Sequence, residues 1–173
     1  MEQKSTFVPA IQFGVITGVA MAVYTLILFL TGIDVHSYWN LVSYFLYVAG
    51  LYWGISQIRE KQLGGVMSYG KAFTTGFYIT IFVAIVLAVF GYFYLKDINP
   101  GALADAVTKA EDKILASNPD ISDEDLQKAM HMVKIFANPG VSAFSQFISN
   151  LFTGTIFSLI IAIFAKRVDR TIA

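Results

Sequence analysis

Four stretches of this chain contain no Asp, Glu, Lys or Arg: 5–33, 35–58, 72–95 and 135–165. Each exceeds the roughly 20 residues that carry a helix across the hydrocarbon core of a bilayer. They predict transmembrane helices over about 9–31, 39–58, 72–95 and 140–165. The competing reading is a soluble bundle with four buried helices. Only 14% of the residues are charged, against about 25% in soluble domains, and so much apolar surface would be hard to keep in solution. The first run is too long for a cleaved signal peptide, and its basic flank is the single Lys4.

Four spans put both termini on one side, together with the connection 59–71. That side carries seven basic residues and three acidic ones; the other side, with the turn near Asp34 and the segment 96–139, carries five and nine. Basic residues near membrane ends stay in the cytoplasm. The expectation is a plasma-membrane protein with cytoplasmic termini and residues 96–139 outside. Tyr38, Trp39, Trp53, Tyr92 and Tyr94 fall near span ends, where amphipathic rings prefer to sit.

The connection 59–71 contains Gly65, four residues, then Gly70-Lys71, the opening of a phosphate-binding loop. That loop needs a strand before it, a helix after it, and Ser or Thr following the Lys. Here a membrane helix precedes it and Ala72 follows, so the match is read as coincidence. The structural reading is a reversal at Gly64-Gly65, which tolerate positive φ, with Ser68 capping the third helix. Arg59, Lys61 and Lys71 then lie at the headgroup level, where each charge gains about 1 kcal/mol beside anionic lipid. Docking of a partner on this loop is the functional alternative.

Two Asn-Pro-Gly triplets, at 99–101 and 138–140, frame the segment between the third and fourth spans. Asn suits an N-cap and Pro the first helical position. Between them, Leu103, Ala106, Val107, Ala110 and Ile114, then Leu126, Ala129, Met130, Val133 and Ala137, follow helical apolar spacing. Residues 117–120 read as a turn, and Ser122 with Asp125 is a near match to a capping box. The fold class is therefore all-α: one four-span bundle over 1–173 with an amphipathic helical hairpin inserted at 99–138. The hairpin packs on itself or the bundle, or meets an external partner.

Small residues mark contact faces between helices in lipid. They recur as Gly14, Gly18 and Ala22; Gly50 and Gly54; Gly76, Thr80 and Ala84; and Gly154 and Ser158, in line with Gln146 and Asn150. Cross-helix hydrogen bonding is the structural use of Gln146 and Asn150; a polar solute path that includes Thr153 is the alternative. The span cores contain no Asp, Glu, His, Lys or Arg, which coupled transporters generally need, and no mid-membrane proline.

No H-E-x-x-H or G-x-S-x-G motif occurs, and there is no cysteine. His36 and His131 have no second ligand suggested by spacing. Catalytic, cofactor and metal residues are therefore expected to be none. Zero net charge without a basic stripe argues against nucleic acid. Partners are the lipid bilayer and either another protein or a further copy of this chain.

Arg59, Glu60, Lys61, the pair Gly64-Gly65, then Ser68, Tyr69, Gly70, Ala72 and Phe73 form a charged turn leading into an aromatic-Gly-x-Ala-Phe start of the third span. With Ile98-Asn99-Pro100 before the helical segment, this layout resembles the domain of unknown function 4199 family along nearly the whole chain. The resemblance implies a small bacterial multi-pass inner-membrane protein and brings no activity, ligand or catalytic residue. The expectation is a non-enzymatic scaffold, regulator or accessory subunit. The alternative is a channel or uncoupled carrier for a small solute.

Overall fold

In a computed structural model, residues 5–33 and 38–167 are described. Charges at Glu2, Lys4, Asp34, Asp169 and Arg170, and the side chain of His36, lie outside the described residues. The helices are α1 (Phe7–Leu30), α2 (Asn40–Gln62), α3 (Tyr69–Phe93), α4 (Gly101–Ser117), α5 (Asp123–Phe136) and α6 (Pro139–Ala165), with a π-helical turn, Tyr94–Ile98, continuing α3. Among the described residues the one β feature is an isolated antiparallel bridge, Met67 to Arg167.

Four helices are long and apolar enough to cross a membrane: Phe7–Leu30, Asn40–Gln62, Tyr69–Ile98 and Pro139–Ala165. The shortest has 23 residues, about 34 Å at 1.5 Å per residue, against about 30 Å of hydrocarbon. Their surfaces are inside out relative to a soluble bundle. Val15, Val19, Val23 and Ile27 of α1 are exposed at steps of four, as are Phe152, Ile156, Ile160 and Phe164 of α6. The buried positions include Gly14, Gly18, Gly54, Thr75, Thr80 and Ser158. A lipid surrounding would make this arrangement favourable.

The chain forms two compact units, one from residues 1–87 with 147–173 and one from 88–146. In the first, glycines let backbones approach. A Cβ on Gly14 would stand 2.5 Å from Phe82 Cβ, and one on Gly18 2.8 Å from Val86 Cβ, so both turn toward α3. Gly50 meets Thr17 of α1; Gly54 meets Phe13 of α1 and Ile79 of α3. Gly76 faces Ser158, and Gly154 faces Tyr47 and Thr80. Ala22 and Ala84 are buried.

Polar side chains bridge the same surfaces. Thr80 and Ser158 hydroxyls lie 3.3 Å apart, and Tyr47 Oη donates to the Asn150 carbonyl at 3.1 Å. Thr75 Oγ1 donates to Thr6 Oγ1 at 3.1 Å. Thr17 Oγ1, by contrast, is buried with no hydrogen-bond partner among the described residues. An unmet buried hydroxyl costs about 1–3 kcal/mol, and a methyl of the same shape removes that cost. Thr17→Val is therefore expected to raise stability by about 1 kcal/mol. Thermal unfolding in a fixed detergent checks this, and a lowered midpoint would contradict it.

In the second unit, Gln146 of α6 lies against Gly91 of α3, where a Cβ would stand 2.5 Å from Oε1. Asn138 Oδ1 accepts from the amides of Gly140 (2.9 Å) and Val141 (3.4 Å), capping α6 as its triplet predicts. The first triplet behaves differently. Asn99 turns its Nδ2 back to Tyr94 Oη at 3.2 Å, leaving α4 with Pro100 at its N-cap and no side-chain cap. The π turn is the reason, since the Asn99 amide bonds the Tyr94 carbonyl and carries Asn99 beside Tyr94. Ser122 caps α5, accepting from the Asp125 amide at 3.2 Å and donating to its carboxylate at 2.9 Å. Met130 of α5 is buried.

Candidate functional site

Among the described residues of the first unit, the charges gather at one end, where α1 starts, α2 passes to α3, and α6 stops. Helix α2 outlasts its expected end by four residues, reaching Gln62 rather than residue 58. Arg59 and Lys61 thus occupy its last turn, where cations complement the helix dipole, and not the loop that the spacing predicts. Helix α3 likewise starts early, at Tyr69. Its first amides turn to Ser68, whose Oγ accepts from Lys71 at 3.4 Å and whose carbonyl accepts from Ala72 at 2.9 Å. Gly70 and Lys71 are therefore helical, and the true connection is only residues 63–68.

That connection begins with the Leu63 and Gly65 amides returning to the Arg59 carbonyl at 3.3 and 2.9 Å. Gly64 and Gly65 take φ of 65° and 86°, a region closed to most other residues. The reversal carries Met67 to the end of α6, where its amide donates to the Arg167 carbonyl at 2.8 Å and its carbonyl accepts from the Arg167 amide at 2.9 Å.

Arg59 is the centre of the arrangement. It is only 5% exposed. Its Nη1 donates to the Ala165 carbonyl at 2.6 Å; Nε and Nη2 donate to Glu60 Oε1 at 3.1 and 2.9 Å. The last carbonyls of a helix have no partner within it and carry partial negative charge. Arg59 supplies α6 with a charged donor there. Glu60 Oε1 also meets Arg167 Nη1 at 3.4 Å. The carboxylate is thus held between two guanidiniums, an arrangement that ties the end of α2 to the end of α6. Among the described residues, no three His, Asp or Glu side chains converge on a metal position.

The family described as Protein of unknown function (DUF4199) matches residues 12–167. The chain belongs to this family. Within this DUF4199 chain the match begins inside α1, covers the other three long helices and ends on Arg167, the residue that pairs with Met67. No curated protein and no solved structure matches the chain.

The other residues singled out by spacing are dispersed. Gln146 sits against Gly91, the Asn150 carbonyl accepts from Tyr47, and Thr153 is half-buried. His131 is exposed. Spacing alone missed Glu60 as a bridge, Arg167, Thr6, Thr17 and Tyr47. Thr6 and Thr17 gave a faint signal as hydroxyls on an otherwise apolar helix; Arg167 gave none, because its partners lie about a hundred residues earlier in the chain.

Proposed function

We propose that this protein is a non-enzymatic bacterial plasma-membrane scaffold or accessory subunit that acts through a protein partner. Both termini and the Arg59 end face the cytoplasm; α4 and α5 form a hairpin on the outer side. The observation that carries the reading is an apolar strip outside the long helices. Met132, Ile135 and Phe136 of α5 are 56%, 44% and 55% exposed, the last two about one turn after the first, while Met130 on another face is buried. Exposed apolar patches rimmed by polar residues mark interaction sites, and Glu124, Asp125 and Lys128 supply a charged neighbourhood on the same helix.

The channel reading is less favoured, because Gly154, Tyr47, Thr80 and Ser158 occupy the bundle interior against one another. The test is native mass spectrometry of material gently extracted from its own membrane. A defined second protein, lost in a Met132→Ser/Phe136→Ser variant that still folds, is the expected result. Solute flux into liposomes that is abolished by Asn150→Leu would replace this reading with the channel.

Orientation has its own test. Single cysteines at Ser68 and Ser117 are expected to react with impermeant thiol reagents from opposite sides, Ser68→Cys from the cytoplasm. Reaction of Ser117→Cys from the cytoplasm alone would reverse the assignment.

A further inference from the structure

A groove of about 210 Å³ opens between the start of α1 and the end of α2. Its lining includes Gln12 and Phe13 of α1 and Trp53, Gln57, Lys61 and Gln62 of α2. The order of these groups along the helix axes is informative. Gln12 is the sixth residue of α1 and Gln57 the sixth from the end of α2. Each lies about 7.5 Å inside its own helix end; the facing pairs Thr17 with Gly50 and Phe13 with Gly54 put Gln12 level with about residue 55, so it sits about 3 Å deeper than Gln57. Lys61 and Gln62 form the rim outside them. Trp53 is one helical turn deeper than Gln57, and its ring meets Phe13 edge-to-face with centroids 4.9 Å apart.

Polarity in this groove thus falls from cation to amide to aromatic ring with depth. The groups are also unspent. Among the described residues Lys61 has no ion pair, since Glu60 is shared by Arg59 and Arg167. The side chains of Gln12, Gln57 and Gln62 make no hydrogen bond among the described residues. Amides this far inside a lipid-facing helix are costly unless they meet polar partners. Among the described residues no acidic side chain lines the groove.

We infer that the groove is a binding site for one anionic phospholipid, its phosphate held at the rim by Lys61 and Gln62, its glycerol-ester region by Gln12 and Gln57, and an acyl chain laid over Trp53. The volume suits a headgroup and glycerol rather than a whole lipid, whose chains remain in the bilayer. A phosphate diester supplies the negative charge and acceptors that the cation and amide donors lack, and the ester carbonyls reach the depth of the two inner amides.

Trp53 makes the site observable. The chain has two tryptophans, so Trp39→Phe leaves Trp53 as the single reporter. The full chain is reconstituted into phosphatidylcholine vesicles containing brominated phosphatidylglycerol or, in parallel, brominated phosphatidylcholine. Quenching of Trp53 is expected to favour the anionic lipid about fivefold, the factor one lysine gives beside an acidic headgroup. The preference should fall to near unity in Lys61→Gln and be reduced in Gln57→Leu, with far-ultraviolet circular dichroism unchanged. Lys71→Gln, which removes a cation outside the groove, should leave it intact. Equal quenching by the two lipids, or equal loss of preference in Lys61→Gln and Lys71→Gln, would overturn the assignment. A change in Trp53 emission on adding inorganic phosphate to vesicles of phosphatidylcholine alone would assign the site to a free anion and overturn the lipid reading.

Discussion

Gly154→Val is expected to abolish the folded state. A Cβ at this position already overlaps Tyr47 Oη and stands 2.6 Å from Thr80 Cγ2. Neither neighbour can retreat freely, because Tyr47 donates to the Asn150 carbonyl and is only 1% exposed, and Thr80 is fully buried beside Ser158. Overpacking a close-packed interior typically costs about 1–3 kcal/mol and occasionally more, and valine adds three carbons where there is no room for one. The expected result is loss of the monodisperse detergent-solubilised species and of cooperative thermal unfolding. Gly154→Ala should retain the fold with a loss of about 2–3 kcal/mol. Adding Tyr47→Phe, which removes the atom that the new methyl meets, should return part of that loss. A coupling below about 0.5 kcal/mol in this double-mutant cycle would show that the hydroxyl is not what limits the site. Gly70→Ala is the contrast. Gly70 is helical with nothing within 4 Å of an added Cβ, so alanine should stabilise by about 0.5–1 kcal/mol through helix propensity.

Arg59→Met is the second large effect. The substitution keeps much of the apolar stem but removes the donor to Ala165. Hydrogen bonds to charged groups contribute about 1.5–3 kcal/mol, and Arg59 is buried enough for the upper part of that range to apply. The ion pair with Glu60 adds less, since that carboxylate is 47% exposed and exposed pairs contribute about 0–1 kcal/mol. Arg59→Met should therefore lower stability by about 2–3 kcal/mol, and Glu60→Gln by less than about 1 kcal/mol. Arg59→Lys should recover under half of the loss, because one ammonium cannot span both the Ala165 carbonyl and the Glu60 carboxylate as the guanidinium fork does. Chemical unfolding gives the magnitudes. Limited proteolysis within residues 63–68 gives the location, with faster cleavage in Arg59→Met than in Glu60→Gln. Equal effects of the two substitutions would mean that the carboxylate, not the helix end, is the partner that counts.

The long helices were legible because charge is so unwelcome in hydrocarbon that its absence over more than 20 residues leaves few alternatives. Their ends were less legible. Arg59 and Lys61 mark the limit of the apolar run, but the helix continues through them to Gln62, since both residues favour a helical C-terminus. The Asn138 cap could be read from its triplet, whereas Asn99, in the same triplet, was diverted by a π turn that no local spacing announces. The loop-end cluster was half visible. Its letters stood out, yet the Arg59 contact to Ala165 spans 106 residues, and nothing near either residue names the other. Tyr47 looked like one more aromatic of an apolar helix, and its place against Gly154 follows only from the packing of α2 on α6.

The tie between the α2–α3 connection and the end of α6 also constrains how the protein is made. Arg59 and Met67 leave the ribosome about a hundred residues before Ala165 and Arg167, the groups they bond. Until α6 inserts, the first three helices hold a buried-type guanidinium without its carbonyl, a connection without its β partner, and Tyr47 facing an empty seat. The arrival of the last helix supplies all three partners together.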